Sequence, residues 1–187
     1  MSDVSDLVAS RLRDVADFPK PGVVFKDITP LLGDGEAFGA VIRELASRHT
    51  PSSVASVQPI DAVAGVEARG FIVGAALALE LGVGFIPVRK VGKLPGQTVQ
   101  RTYDLEYGTA TIEIHADAVS PGQRVLLVDD VLATGGTAIA AWDLLAESGA
   151  DVIGFETIVE LAFLGGRAAM GERAVHALHV VGGSEEN

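Results

Sequence analysis

Two adjacent carboxylates, Asp129 and Asp130, stand just ahead of a glycine turn, Ala133-Thr134-Gly135-Gly136-Thr137. Gly135 and Gly136 have no Cβ, so the backbone there can curl and bring successive N–H groups close to an anion. A helix starting behind the turn adds roughly half a positive charge at its N-terminus. Thr134 and Thr137 add hydroxyl donors. These features make a phosphate cradle that uses no lysine. A bare phosphate would be repelled by the two carboxylates, which must therefore face sugar hydroxyls or a hydrated Mg²⁺. The ligand implied is a ribose carrying a 5′-phosphate.

Other stretches supply complementary chemistry. Arg89, Lys90 and Lys93 bring three cations into five positions of an otherwise acidic chain, as capture of a pyrophosphate would require. Glu67-Ala68-Arg69, flanked by Gly65 and Gly70, forms a turn between a strand and a helix. Such a turn suits an anion, although an ordinary helix-entry turn with a surface arginine has the same pattern. Pro19, Pro21 and Gly22 fix a short extended piece presenting Val23, Val24 and Phe25. It reads either as an arm packed on the domain or as a wall for a planar ligand, with Phe25 stacking and backbone amides reading the edge. Gln97 to Gly108 is a long polar stretch holding Glu106 between Leu105 and Tyr107, the stem and tip of a hairpin. Long polar loops in compact domains often serve as lids, and a lid would keep water from a reactive sugar cation.

The elements behind these residues follow from hydrophobic pattern. Val125 to Val128 is a continuous apolar run, as in a strand buried on both faces. A helix with Ala141, Leu144 and Leu145 on one face follows it and stops near Gly149. Further strands are expected at Ile60 to Val66, Gly82 to Val88, Val152 to Leu161 and Val175 to Val181, with a returning strand at Ala110 to His115. Helical spacing covers Leu7 to Val15 and Ala37 to Arg48. The expectation is an α/β fold, a doubly wound, mostly parallel sheet of about five strands with flanking helices. Its ligand belongs at the carboxyl ends of the strands. One domain spans residues 1–187, with an N-terminal arm or hood over residues 1–35 and a flexible lid region over residues 89–115.

Composition narrows the class. The 187 residues carry 14 Lys+Arg against 25 Asp+Glu, a net charge of −11, which disfavours nucleic acid and anionic membranes as partners. The chain holds no cysteine, so disulfides, thiolate catalysis and Cys-ligated zinc are excluded, and a cytoplasmic location fits. The N-terminus lacks the apolar stretch of a signal peptide. The apolar run Phe71 to Val88 is broken by Glu80, Gly82, Gly84 and Pro87, so it reads as a helix and a strand of a soluble protein. His49, His115, His176 and His179 do not form a ligand spacing, and no Walker-type or dinucleotide glycine motif is present.

The stretches FPKPGVVFKDITPLL, EARGF, RKVGKLPG with YDLEYG, and VLLVDDVLATGGT occur in this order between Phe18 and Thr137. Together they resemble the adenine phosphoribosyltransferases of the type I phosphoribosyltransferase family, and the resemblance runs from Phe18 to Leu164. The resemblance implies transfer of phosphoribose from 5-phosphoribosyl-1-pyrophosphate (PRPP) to adenine N9, giving AMP and pyrophosphate in purine salvage. Asp129 and Asp130 would hold the ribose hydroxyls, and Ala133, Thr134, Gly135, Gly136 and Thr137 the 5′-phosphate. Glu67, Ala68 and Arg69 would form the pyrophosphate loop, which in the family commonly holds a cis peptide. Arg89, Lys90 and Lys93 would bind pyrophosphate, Arg89 across a dimer interface in one reading. Phe25 would stack on adenine, with Val24 and Lys26 reading its edge. Glu106 and Tyr107 would approach the reacting base and ribose as the catalytic pair. Mg²⁺ would arrive through PRPP and water without a direct protein ligand, and the active form would be a homodimer. Two other readings stay open: a phosphoribosyltransferase for another base such as xanthine, and a PRPP-sensing transcription regulator on the same fold.

Overall fold

The computed structural model describes residues 2–18, 20–50, 59–104 and 108–182. At its centre lies the strand Arg124–Leu132, whose side chains alternate between two apolar clusters. In chain order the strands are β1 (Arg13–Ala16), β2 (Val24–Asp27), β3 (Ala62–Val66), β4 (Gly84–Lys90), β5 (Thr98–Asp104), β6 (Thr109–His115), β7 (Arg124–Leu132), β8 (Asp151–Leu161) and β9 (Val175–Val181). The helices are α1 (Ser2–Arg11), α2 (Thr29–Gly33), α3 (Gly35–Ser47), α4 (Arg69–Leu81), α5 (Gly136–Glu147) and α6 (Gly166–Met170).

The main sheet runs β5-β6-β4-β3-β7-β8-β9. β4, β3, β7, β8 and β9 are parallel neighbours, while β5 and β6 add an antiparallel hairpin to the β4 edge. The parallel core thus has the five strands expected, and the hairpin of β5 with the returning strand β6 enlarges the sheet to seven. On β7, Leu126 and Val128 pack with Val41 and Leu45 of α3 and with Val73 and Leu77 of α4. Val125 and Leu127 face the other way, toward Ala141, Leu144 and Leu145 of α5 and toward Ile112 and Ile114 of β6. All four β7 side chains are fully buried, which is why the run carries no polar alternation.

The N-terminal arm departs from the sequence expectation. The first helix ends at Arg11, and Val15 lies in β1 instead of on a helix face. β1 pairs antiparallel with β2 in the register Asp14↔Lys26 and Val15↔Phe25. Cross-strand charges make this pairing: Arg13 donates to Asp27, and Lys26 reaches both oxygens of Asp14 at 2.7 and 2.8 Å. The connecting turn uses Asp17, whose carboxylate accepts the Gly22 amide at 2.7 Å. Among the described residues no helix is long and apolar enough to cross a membrane.

Candidate active site

A cavity of about 1350 Å³ opens at the carboxyl ends of β3 and β7. Its size exceeds the roughly 300–1000 Å³ of sites for single drug-sized ligands, leaving room for a base and a phosphorylated sugar together. One wall is Val24, Phe25 and Lys26 of β2, with Asp14 of β1 beside them. The floor is Glu67, Ala68 and Arg69, where the Glu67–Ala68 peptide is cis. Asp129, Asp130, Ala133 and Thr137 also line it, with Asp130 in contact with Arg69. Three of the stretches singled out in the sequence, around Phe25, around Glu67 and from Asp129 to Thr137, thus converge on one space, although more than a hundred residues separate Phe25 from Asp130.

β7 delivers the acid pair. Asp130 is 5% exposed and accepts from Arg69 Nε at 2.5 Å. Asp129 turns its Oδ1 back to accept the Asp130 amide at 2.9 Å. Burial pushes the Asp129 carboxyl well above its usual range, and the neighbouring charge of Asp130 adds to the effect, partly offset by the Asp130 amide. A carboxylate held in this way gains from any cation or hydroxyl donor that reaches it.

Past Leu132 the chain bends into the turn Ala133–Gly136 and enters α5. Gly135 sits at φ +87°, a left-handed conformation that costs glycine little, and forms the N-cap of α5 without a side-chain cap. The first amides of α5 are therefore free of a capping side chain and available to an anion. Thr134, Gly135 and Gly136 bridge the cavity-lining Ala133 and Thr137. From behind, α6 supports the turn: a Cβ added at Gly166 would run into the Ala133 carbonyl oxygen, so only glycine permits this approach. Buried Glu160 holds α6 there, accepting Arg167 Nε on both oxygens at 3.0 Å.

The basic turn lies beyond Glu67. Arg89 Nε donates to Glu67 Oε2 at 3.2 Å and the Lys90 amide donates to the same oxygen at 3.0 Å. Burial would raise the Glu67 carboxyl, but these donors and the two cations hold it below the usual range. The Lys93 amide donates to buried Glu113 at 2.9 Å, and the Lys93 carbonyl accepts from Arg89 at 3.2 Å. Arg89, Lys90 and Lys93 therefore border the Glu67 loop and are not part of the cavity lining. Glu106 and Tyr107 lie outside the described residues.

Several lining residues escape the sequence reading. Leu161, Phe163, Leu164, Val181 and Gly182 close the side nearest β8 and β9. Phe163 is 54% exposed immediately after a buried strand, a signal that the sequence does carry: an aromatic at the carboxyl end of a parallel strand. Among the described residues no cluster of three or more His, Asp or Glu side chains is arranged to hold a metal ion.

Comparison with known proteins agrees with this geometry. A family model described as phosphoribosyl transferase domain matches residues 31–174. The adenine phosphoribosyltransferase of Streptomyces galbus is 56% identical over 173 residues, covering 91% of this chain and 90% of the relative. The crystal structure of adenine phosphoribosyltransferase from Thermoanaerobacter pseudethanolicus superposes with a TM-score of 0.88 at 45% identity, covering 94% of this chain and 99% of that one. The Saccharomyces cerevisiae adenine phosphoribosyltransferase, complexed with D-2,5-dideoxy-2,5-imino-altritol 1,6-bisphosphate and adenine, also gives a TM-score of 0.88, at 37% identity with 95% and 99% covered. With the family model spanning most of the chain and a relative this similar over nine-tenths of it, the chain belongs to the phosphoribosyltransferase family, among the adenine phosphoribosyltransferases.

Proposed function

We propose that this cavity binds PRPP and adenine and transfers phosphoribose to adenine N9, releasing pyrophosphate and AMP. One observation carries the reading: Phe25, the Asp129–Asp130 pair, and Ala133 and Thr137 at the two ends of the glycine turn all line a single cavity at the carboxyl end of β7. Asp129 and Asp130 accept the ribose 2′ and 3′ hydroxyls, and the turn amides with the Thr134 and Thr137 hydroxyls hold the 5′-phosphate. Adenine stacks on Phe25, its edge read by the backbone of Val24 and Lys26.

At C1′ the bond to pyrophosphate oxygen breaks with its electron pair, leaving an oxocarbenium-like sugar, and N9 closes the new bond. The Glu67-Ala68-Arg69 loop, through its backbone and the Arg69 side chain, acts with Arg89, Lys90 and Lys93 to stabilise the departing pyrophosphate, while the Glu67 carboxylate orients Arg89 and the Lys90 backbone. Such electrostatic stabilisation is worth about 3–4 kcal/mol per well-placed donor in comparable sites. Glu106 takes the base proton and Tyr107 closes on the ribose. The Asp129–Asp130 pair is a hard-oxygen, desolvated donor set that fits a hydrated Mg²⁺ arriving with PRPP. Such an ion supplies charge neutralisation of the phosphates. The enzyme acts in the cytoplasm as a homodimer, a reading supported by Ile72 and Leu79 projecting from one face of α4 at 47% and 84% exposure.

The test is base competition: adenine, hypoxanthine, guanine and xanthine offered together with Mg²⁺ and PRPP. AMP is expected as the dominant nucleotide product. Preferential formation of another nucleotide would reassign the base, and no nucleotide with any base would overturn the reading.

A further inference from the structure

The β5–β6 hairpin meets the glycine turn through one contact that the reaction scheme above leaves unused. The Tyr103 hydroxyl of β5 lies 3.0 Å from the Thr137 hydroxyl of α5. Thr137 lines the cavity, so its hydroxyl stands between the proposed phosphate position and the tyrosine. Tyr103 is packed against the core cluster that includes Ala138 and Ala141. A Cβ added at Gly136 would lie 3.7 Å from the Asp104 carbonyl and 3.9 Å from the Tyr103 ring, so this end of β5 sits directly over the turn. Two residues earlier Arg101 donates to Asp143 of α5 at 2.8 Å and also pairs with Glu147. Asp143 in turn accepts from Arg173 at 2.7 Å. The hairpin stem is thereby fixed along α5, which sets the Tyr103 ring against the core with its hydroxyl on Thr137.

A threonine hydroxyl has one proton and two lone pairs. Left alone it rotates and spends that proton on whichever acceptor is nearest. Either hydroxyl can donate in this pair; with a phosphate in the turn as the stronger acceptor, Tyr103 donates to a Thr137 lone pair and the threonine proton goes to the phosphate. We infer that Tyr103 is a positioning residue for 5′-phosphate binding: its phenol orients the Thr137 hydroxyl as a donor to the phosphate and couples the hairpin to occupancy of the turn. This inference rests on the proposed phosphate site at Ala133–Thr137.

Tyr103→Phe keeps the ring and its packing and removes only the hydroxyl. The expected result is a roughly three- to tenfold rise in KM for PRPP, the size of one net hydrogen bond, with a smaller change in kcat and none in KM for adenine. The deciding measurement is a double-mutant cycle on PRPP affinity by titration calorimetry, using Tyr103→Phe, Thr137→Val and the pair. Thr137→Val alone should weaken PRPP, and adding Tyr103→Phe to it should cost nothing more. If Thr137→Val weakens PRPP while Tyr103→Phe does not, or if the two losses simply add, the positioning role is overturned and the phosphate site stands. If Thr137→Val leaves PRPP affinity unchanged, the phosphate site itself is wrong, and the inference falls with it.

Discussion

Arg69 ties the two walls of the cavity together: its Nε donates to Asp130 Oδ2 at 2.5 Å while its guanidinium carbon lies 5.2 Å from the centre of the Phe25 ring. The acid pair at the end of β7 and the aromatic wall of β2 come from distant parts of the chain. One planar cation satisfies both, by a charge-assisted hydrogen bond on one side and a cation–π contact on the other. Phe25 is braced in turn by Phe18, edge to face at 5.2 Å.

The pairing makes Asp130 a test of the ribose assignment. Asp130→Ala removes the proposed acceptor for a sugar hydroxyl and releases Arg69. PRPP affinity by titration calorimetry is expected to fall by about ten- to a hundredfold, the range for a hydrogen bond to a charged group. Unchanged affinity would remove Asp130 from the ribose site.

Asp129 predicts a trade of stability against binding. Its carboxyl binds a proton more tightly in the folded state than its ordinary value of 3.8 implies, so folding stability falls as pH rises from that value through the raised folded one. Asp129→Asn keeps the acceptor for the Asp130 amide without the charge. The unliganded variant should therefore melt higher than wild type at neutral pH, and the gain should vanish by about pH 4. PRPP binding should weaken over the same neutral range. A variant that melts lower at neutral pH would show that the ionised carboxylate is well compensated.

Gly166 tests the support behind the glycine turn. A methyl at this position must displace either α6 or the Ala133 carbonyl. Gly166→Ala is expected to destabilise by about 1–3 kcal/mol, as overpacking typically does, and to raise KM for PRPP without a matching rise for adenine. Equal rises for both substrates would argue for a general loss of structure and against a local shift of the turn.

Glu106 carries the proton-transfer proposal. Glu106→Gln should lower kcat far more than it raises KM for PRPP, because the lost interaction belongs to the transition state. Comparable losses in both would take Glu106 out of the chemical step.

Much of this architecture is readable in the chain itself. The apolar run of β7 announces a doubly buried strand, and the acids and glycines that follow it announce the ligand, because both signals are local. The β1–β2 pairing is not local: Arg13 finds Asp27 and Asp14 finds Lys26 only after the chain reverses through Asp17 and Gly22. The helical spacing from Leu7 to Val15 gives no warning of that. Glu113 misleads for a similar reason. In the alternating strand Ala110 to His115 it occupies what looks like a solvent face, yet it is 2% exposed. Its carboxylate accepts the Lys93 and Leu94 amides, with Thr98 and Gln100 as further donors, and so shapes the basic turn. Leu161, Phe163 and Leu164 reach the cavity through tertiary packing that no periodicity encodes.

In the proposed complex the glycine turn after β7 grips a sugar phosphate while its acidic neighbours hold the hydroxyls and Phe25 holds the base. A crystal structure of the protein with AMP tests it most directly. Phosphate oxygens are expected within hydrogen-bond reach of the Ala133–Thr137 amides, ribose hydroxyls on Asp129 and Asp130, and the adenine ring against Phe25. AMP bound elsewhere, with the turn vacant, would contradict it.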